Sequence, residues 1–256
     1  MKFLAAVHSD VGIHKKKNQD SLCLKIAKLK NDDEVAMLIV CDGMGGLEKG
    51  ELASATVIRA FAEWFDNVMP ENMKSGFSVD TVKSQWEEII KNQNELINEY
   101  GENYRLQLGT TLTALLIADG KFLISQVGDS RAYRITNIIE QVTEDQTVVQ
   151  RDVKLGLITP EQAREDPRQN VLLQCIGASK VVAPVFVNGV VASGEQYMIC
   201  SDGFRHKVSD EEIIGVLAPD LMKNEAIMKK SLIDLIELNK SRQERDNITA
   251  TLIKVV

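Results

Sequence analysis

Short runs of apolar and β-branched residues, each closed by turn-forming residues, recur along the chain. They predict strands at 3–11, 21–29, 35–41, 110–118, 121–127 and 131–135, and again at 183–190, 196–201 and 248–255. Nine candidates exceed the roughly five or six strands of an average sheet, so two packed sheets are expected. A helical period replaces the strand pattern over 48–69, where Leu52, Ala55, Ile58, Ala62 and Phe65 fall on one stripe, and over 81–100. Pro70 and the Ser75-Gly76 turn signal separate the two segments, which predicts an antiparallel helix pair. A second pair is predicted at 210–217 and 226–239, with Ser209-Asp210-Glu211-Glu212 supplying an acidic first turn. Because helices come in clusters and do not alternate with single strands, the order predicts an α+β layered sandwich, not a doubly wound parallel sheet.

From 144 to 170 the periodicity fails. The stretch is charged, is broken by Gly156, Pro160 and Pro167, and holds only a short helix candidate at 160–165. With no linker, repeat or low-complexity run elsewhere, residues 1–256 are expected to form one domain with this segment as an excursion. Its two readings are a flap beside a site and a solvated insertion without function.

Composition narrows the function classes. Hydrophobic residues make up 44% and charged residues 26% of the chain, as in an ordinary globular protein. Only 5% aromatics and a formal net charge of −7 argue against nucleic-acid binding, which needs a basic face and stacking platforms, and are compatible with binding cations. The opening Met1–Val7 run is too short for a signal sequence or a membrane span, so a cytoplasmic protein, monomeric and without membrane partners, is expected. Cys23, Cys41, Cys175 and Cys200 show no Cys-x-x-Cys spacing and are expected as buried, reduced thiols; the alternative is a redox-sensitive Cys41 beside Asp42.

The chemically informative regularity is an aspartate at one end of four strand candidates. Asp42 follows 35–41, Asp129 follows 121–127, Asp202 follows 196–201 after Ser201, and Asp246 precedes 248–255. Any one of these alone is best read as a turn or a backbone cap. Four carboxylates at one rim would repel one another unless cations neutralise them, even with Arg131 and Arg245 nearby in sequence. Hard oxygen donors then favour Mg²⁺ or Mn²⁺ over zinc. His8, His14 and His206 show no metal-ligand spacing.

The ordered set Ser9-Asp10-x-Gly12, Asn18-Gln19-Asp20, Asp42-Gly43-Met44-Gly45-Gly46, Gly50-Glu51-x-Ala53-Ser54, Gly109-Thr110-Thr111, Gly128-Asp129-Ser130-Arg131, Ser201-Asp202-Gly203 and Asp246-Asn247 resembles the motifs of the metal-dependent protein phosphatases. These are the protein phosphatase 2C class, here in its bacterial form, and the likeness runs through nearly the whole chain. The resemblance implies a four-layer α-β-β-α sandwich of two antiparallel sheets flanked by helix pairs. It implies a serine/threonine phosphoprotein phosphatase that uses two Mn²⁺ or Mg²⁺ ions and a bridging water, with phosphorylated proteins as substrates and an opposing kinase as counterpart. By the same likeness Asp42 bridges the two ions, Asp202 and Asp246 complete one of them, and the carbonyl of Gly43 serves the other. Asp20 holds waters from behind, and Asp129 binds a third, weaker ion near the flap.

The chain departs from that pattern at several points. Lys15 stands where an arginine usually grips the substrate phosphate, which keeps the charge but loses the two-pronged hydrogen bond. Met44 replaces a histidine that protonates the leaving group in many relatives, leaving a water or His14 as candidates. Leu47 and Gln19 differ from common residues without removing an implied ligand. Two rival readings stay open: a catalytically weak or inactive relative acting as a regulatory binding module, and a phosphatase of small phosphate esters.

Overall fold

The computed structural model describes residues 1–44 and 49–256. Three strands lead the chain, β1 (Phe3–Asp10), β2 (Ser21–Lys28) and β3 (Glu34–Cys41), and three helices follow, α1 (Gly50–Asn67), α2 (Met69–Ser75) and α3 (Val79–Tyr104). The middle of the chain forms β4 (Leu112–Ala118), β5 (Lys121–Val127), β6 (Arg131–Ile135), β7 (Ile139–Gln141), α4 (Val148–Lys154) and α5 (Pro160–Glu165). The remainder is β8 (Val185–Val190), β9 (Gln196–Cys200), α6 (Asp202–Arg205), α7 (Asp210–Leu217), α8 (Glu225–Ser241) and β10 (Ile248–Val255). Two five-stranded sheets result, in the orders β1-β10-β9-β6-β7 and β2-β3-β4-β5-β8, and every pairing is antiparallel.

The period of two along the strands explains the layers. In β3, Ala36, Leu38 and Val40 face the other sheet, while Val35, Met37, Ile39 and Cys41 face the helices. In β9, Tyr197 and Ile199 point inward and Met198 and Cys200 outward. Strands apolar on both faces must be covered on both faces. Accordingly α1, α2 and α3 cover one sheet, where Trp86 meets Phe61 and Trp64 edge to face at 5.2 and 5.5 Å, and α7 and α8 cover the other. Side-chain caps start these helices: Ser78 for α3, Asn224 for α8, and a reciprocal Ser209–Glu212 box for α7.

The expected sandwich is therefore present, with differences in detail. The first helix group has three members, because Pro70 lies in the opening turn of α2, where its missing N–H costs nothing, and does not break a helix. The strand expected from 110 starts at Leu112, since Thr110 instead bridges Gly43 and Ile176. Gly45 and Gly46 of the motif set, Leu47 after them and the expected helix start at Glu48 lie outside the described residues. All four cysteines are free thiols, three of them buried, and burial pushes Cys41 well above its ordinary range.

Candidate active site

Antiparallel register brings the aspartates to one rim. Cys41 pairs with Ser21, Val127 with Leu112, Cys200 with both Arg131 and Ala250, and Asp10 with Ile248. The C-terminal ends of β1, β3, β5 and β9 therefore lie beside the N-terminal ends of their neighbours. Asp42 and Asp129 leave one sheet at that rim, and Asp202 and Asp246 belong to the other. Gly128, at φ +100°, supplies the left-handed turn that carries the chain from β5 to Asp129, and a Cβ there would lie 2.6 Å from the Thr111 methyl. Gly203 permits a closer approach still: its missing Cβ would sit 2.2 Å from the carbonyl oxygen of Asn247, so α6 rests directly on the backbone that enters β10.

Hydrogen bonds fix these segments. The Asp42 N–H donates to Thr111 Oγ1 at 3.0 Å, and its carbonyl accepts from the Thr111 N–H and the Thr110 hydroxyl, each at 2.9 Å. Asn247 ties down the loop after β1: its amide donates to the carbonyls of Val11 (2.9 Å) and Lys17 (3.1 Å), and its Oδ1 accepts from the Gln19 N–H (2.9 Å). That loop delivers Lys15, whose Nζ lies 2.9 Å from Asp246 Oδ1.

A cavity of about 270 Å³ brings together Lys15, Asp42, Asp129, Asp202 and Asp246, with Asn170 and Leu172 arriving from the end of the excursion. The excursion thus borders the cavity. Two residues expected at the site stand behind this lining. The Gly43 N–H donates to the Gln19 carbonyl at 3.2 Å, and Asp20 is buried with Oδ2 accepting from the Ser201 hydroxyl at 3.0 Å. His14 is exposed and does not line the cavity, and Lys17 is occupied by Glu51 at 2.9 Å.

The concentration of negative charge is visible in the acidities. Burial, and then Asp20, Asp202, Asp129 and Asp246, hold Asp42 well above the ordinary carboxylate range. Burial and the charges of Asp202 and Asp246, partly offset by hydrogen bonds from Thr249 and Ser201, push Asp20 up to about 7. Burial and Asp202 push Asp129 up to about 7 as well, against the pull of Arg205. Burial works against a charged Lys15, but Asp246, Asp42 and Asp202 together hold it above its ordinary value.

Among the described residues of the lining the only sulfur is the Met44 thioether, and the four carboxylates are a set of hard oxygen donors that fits a hard divalent cation. So does Asp20 Oδ1, a buried carboxylate oxygen without a hydrogen-bond partner among the described residues. Among the described residues no three His, Cys, Asp or Glu side chains already stand in cation-binding geometry.

Sequence reasoning missed Asp145, Arg205 and His206. Arg131, two residues after Asp129 in sequence, makes a two-pronged pair with Asp145 at 2.7 and 2.8 Å. Arg205 lies 3.6 Å from Asp129 and 3.3 Å from Asp145. His206 lies 3.5 Å from both Asp202 and Glu244; burial would depress its affinity for a proton, but Glu244 and Asp202 raise it. Its four-residue spacing from Asp202 was the available signal, had 202–206 been read as helical.

Comparison with known proteins identifies the family. The protein phosphatase 2C family model matches residues 13–252. A putative protein phosphatase 2C-type protein of Streptococcus pyogenes is 29% identical over 97% of this chain and 96% of its own length. The serine/threonine protein phosphatase PstP of Mycobacterium tuberculosis is 31% identical over 98% of this chain, which spans 45% of that longer protein. A crystal structure of a PstP catalytic domain in complex with two manganese ions superimposes with a TM-score of 0.80 at 31% identity, covering 99% of this chain and 98% of the other. Fold, rim of aspartates and sequence likeness converge: this chain belongs to the protein phosphatase 2C family of metal-dependent serine/threonine phosphatases.

Proposed function

We propose that this chain removes phosphate from phosphoserine and phosphothreonine in proteins, using two divalent cations, Mn²⁺ or Mg²⁺, at the cavity where its strand-end carboxylates meet. One observation carries the reading: Asp42, Asp129, Asp202 and Asp246, separated by up to 204 positions of sequence, line a single cavity together with one ammonium group. Asp42 would be shared by both ions, Asp202 and Asp246 would complete one site, the Gly43 carbonyl would serve the other, and Asp129 would hold a third ion. Asp20 would accept hydrogen bonds from waters behind them. When bound, such ions acidify water at neutral pH and neutralise the charge that builds on a transferring phosphoryl group.

The chain's own groups support hydrolysis without a covalent intermediate. The Ser130 hydroxyl is engaged with Thr111 at 2.9 Å and that of Ser201 with Asp20 at 3.0 Å, and both serines are fully buried and do not line the cavity, so neither is placed to attack a phosphate there. The attacking group is therefore water. Lys15 presents a point charge in the cavity, where it would exchange Asp246 for the substrate phosphate as the latter enters. Thr111 and Thr110 hold the Asp42 backbone still while this happens.

In this reading residues 1–256 act as one catalytic unit, the 144–170 excursion walls the substrate side, and an opposing kinase supplies the phosphoproteins in the cytoplasm. Among the described residues no helix is long and apolar enough to cross a membrane. The test is turnover of a phosphothreonine peptide with Mn²⁺, with chelator, and in an Asp42→Ala variant. Loss of several kcal/mol of charge stabilisation lowers the rate by at least about a hundredfold in the second and third cases. Activity that survives both treatments would overturn the proposal, and turnover of small phosphate esters with none of phosphopeptides would move the substrate class.

A further inference from the structure

Beside the catalytic cavity runs a wider groove of about 740 Å³, within the range of ligand-binding sites. Asn170 and Asp246 line both, so the two are continuous. One wall is the excursion, with Arg164 at the last turn of α5; the other is formed by His206 and Lys207 after α6 and by the turn from α8 into β10. The charges in it are unevenly committed. Arg242 is held by Glu212 at 2.6 and 2.8 Å. Glu244 is turned inward, accepting from the backbone N–H groups of Arg245 (2.7 Å) and Asp246 (2.9 Å) and facing His206. Arg164, Lys207 and Arg245 are exposed and have no carboxylate partner among the described residues.

In a chain with a net charge of −7, three uncommitted cations in one groove leading from the site form a local positive field against an acidic background. From this we infer that the groove binds acidic residues flanking the phosphorylated side chain, so that the enzyme selects phosphosites in acidic sequence. The inference rests on the phosphatase reading and names the substrate class within it. The background repels acidic proteins in general, and the groove gives them one productive orientation, which is specificity by placement of charge.

The experiment compares Mn²⁺-loaded protein on three phosphothreonine peptides that differ only in having three Glu, three Ala or three Lys beside the phosphosite, and on an aryl phosphate with no flanks. Each exposed pair contributes up to about fivefold, so kcat/KM for the Glu peptide should exceed that for the Ala peptide by roughly fivefold to tenfold and fall towards it at high salt. The Arg164→Glu/Lys207→Glu protein should invert the order, and Arg164→Gln/Lys207→Gln should reduce the preference to the share of Arg245, at most about fivefold. Neither residue lines the catalytic cavity, so aryl phosphate turnover should stay within about twofold in both. Equal rates on Glu and Ala peptides with normal aryl phosphate turnover, or a preference that survives charge reversal, would overturn the inference. Should the protein turn over neither kind of substrate, the activity reading fails, and fluorescence anisotropy with the labelled Glu phosphopeptide decides the groove separately: weaker binding by the charge-reversed protein supports it, and unchanged binding overturns it.

Discussion

Replacing Gly203 by alanine is the most informative single change, because it moves two proposed ligands without altering any charge. The new Cβ would lie 2.2 Å from the Asn247 carbonyl oxygen, against an ordinary contact distance of 3.4 Å or more. Both partners are backbone, so no side chain can swing aside; α6 and the start of β10 must part by about 1 Å. Overpacking of this kind costs about 1–3 kcal/mol, which in a chain of this size lowers the melting temperature by roughly 2–10 °C. The functional cost is larger. Asp202 opens α6 and Asp246 immediately precedes Asn247, so the parting falls between the two carboxylates proposed to share an ion. A displacement near 1 Å costs about a hundredfold in rate. Phosphopeptide turnover measured across a Mn²⁺ titration, with thermal unfolding in parallel, should show a drop in kcat/KM and a midpoint shifted to higher Mn²⁺ in protein that is still folded. Unaltered turnover and an unaltered Mn²⁺ midpoint would refute the argument that this backbone contact sets the spacing of Asp202 and Asp246.

Lys15→Arg restores a two-pronged phosphate donor at the cavity and should lower KM for a phosphopeptide by about threefold while leaving kcat near its original value; a rise in KM would show that lysine is matched to a different approach of the phosphate. Metal-free protein should lose stability as pH rises from about 4 to 7. Asp20 and Asp129 are raised to about 7 in the folded state from 3.8, so the folded state keeps protons that the unfolded chain has released, and the penalty is complete above pH 7. Thermal unfolding with chelator across this range should show the decline, Asp129→Asn should flatten it, and a stability that climbs through the window in the unmodified protein would contradict it.

The layers and the rim were legible in sequence because they depend on local periodicity and on the residue types that close each strand. β3 reads as a continuous apolar run because Leu38 and Ile39 are buried on opposite faces, and Asp42 marks where that run meets solvent. Elements without an apolar signature were not legible. β7 has three residues, none of them buried, and α4 buries only Val149 and Asp152 inside a charged stretch. α2 was hidden by Pro70, which reads equally as a breaker or as a first-turn residue. The pairings that tune the site were also out of reach: Lys15 meets Asp246 from the far end of the chain, and Asp145 draws Arg131 away from its sequence neighbour Asp129. Such contacts are decided by register between distant strands, which a local pattern does not encode.

The rim draws two of its acids from each sheet, and what separates the pairs is the apolar filling between the sheets, with Leu38, Leu115, Ile199 and Ile253 among it. That filling therefore works as a gauge block for the chemistry above it. A methyl group gained or lost in the dry interior changes how far apart the sheets stand and hence how the acids face each other, although it touches none of them. A substitution in this filling would therefore alter the chemistry while leaving every acidic residue in place, at positions a search for active-site differences would pass over.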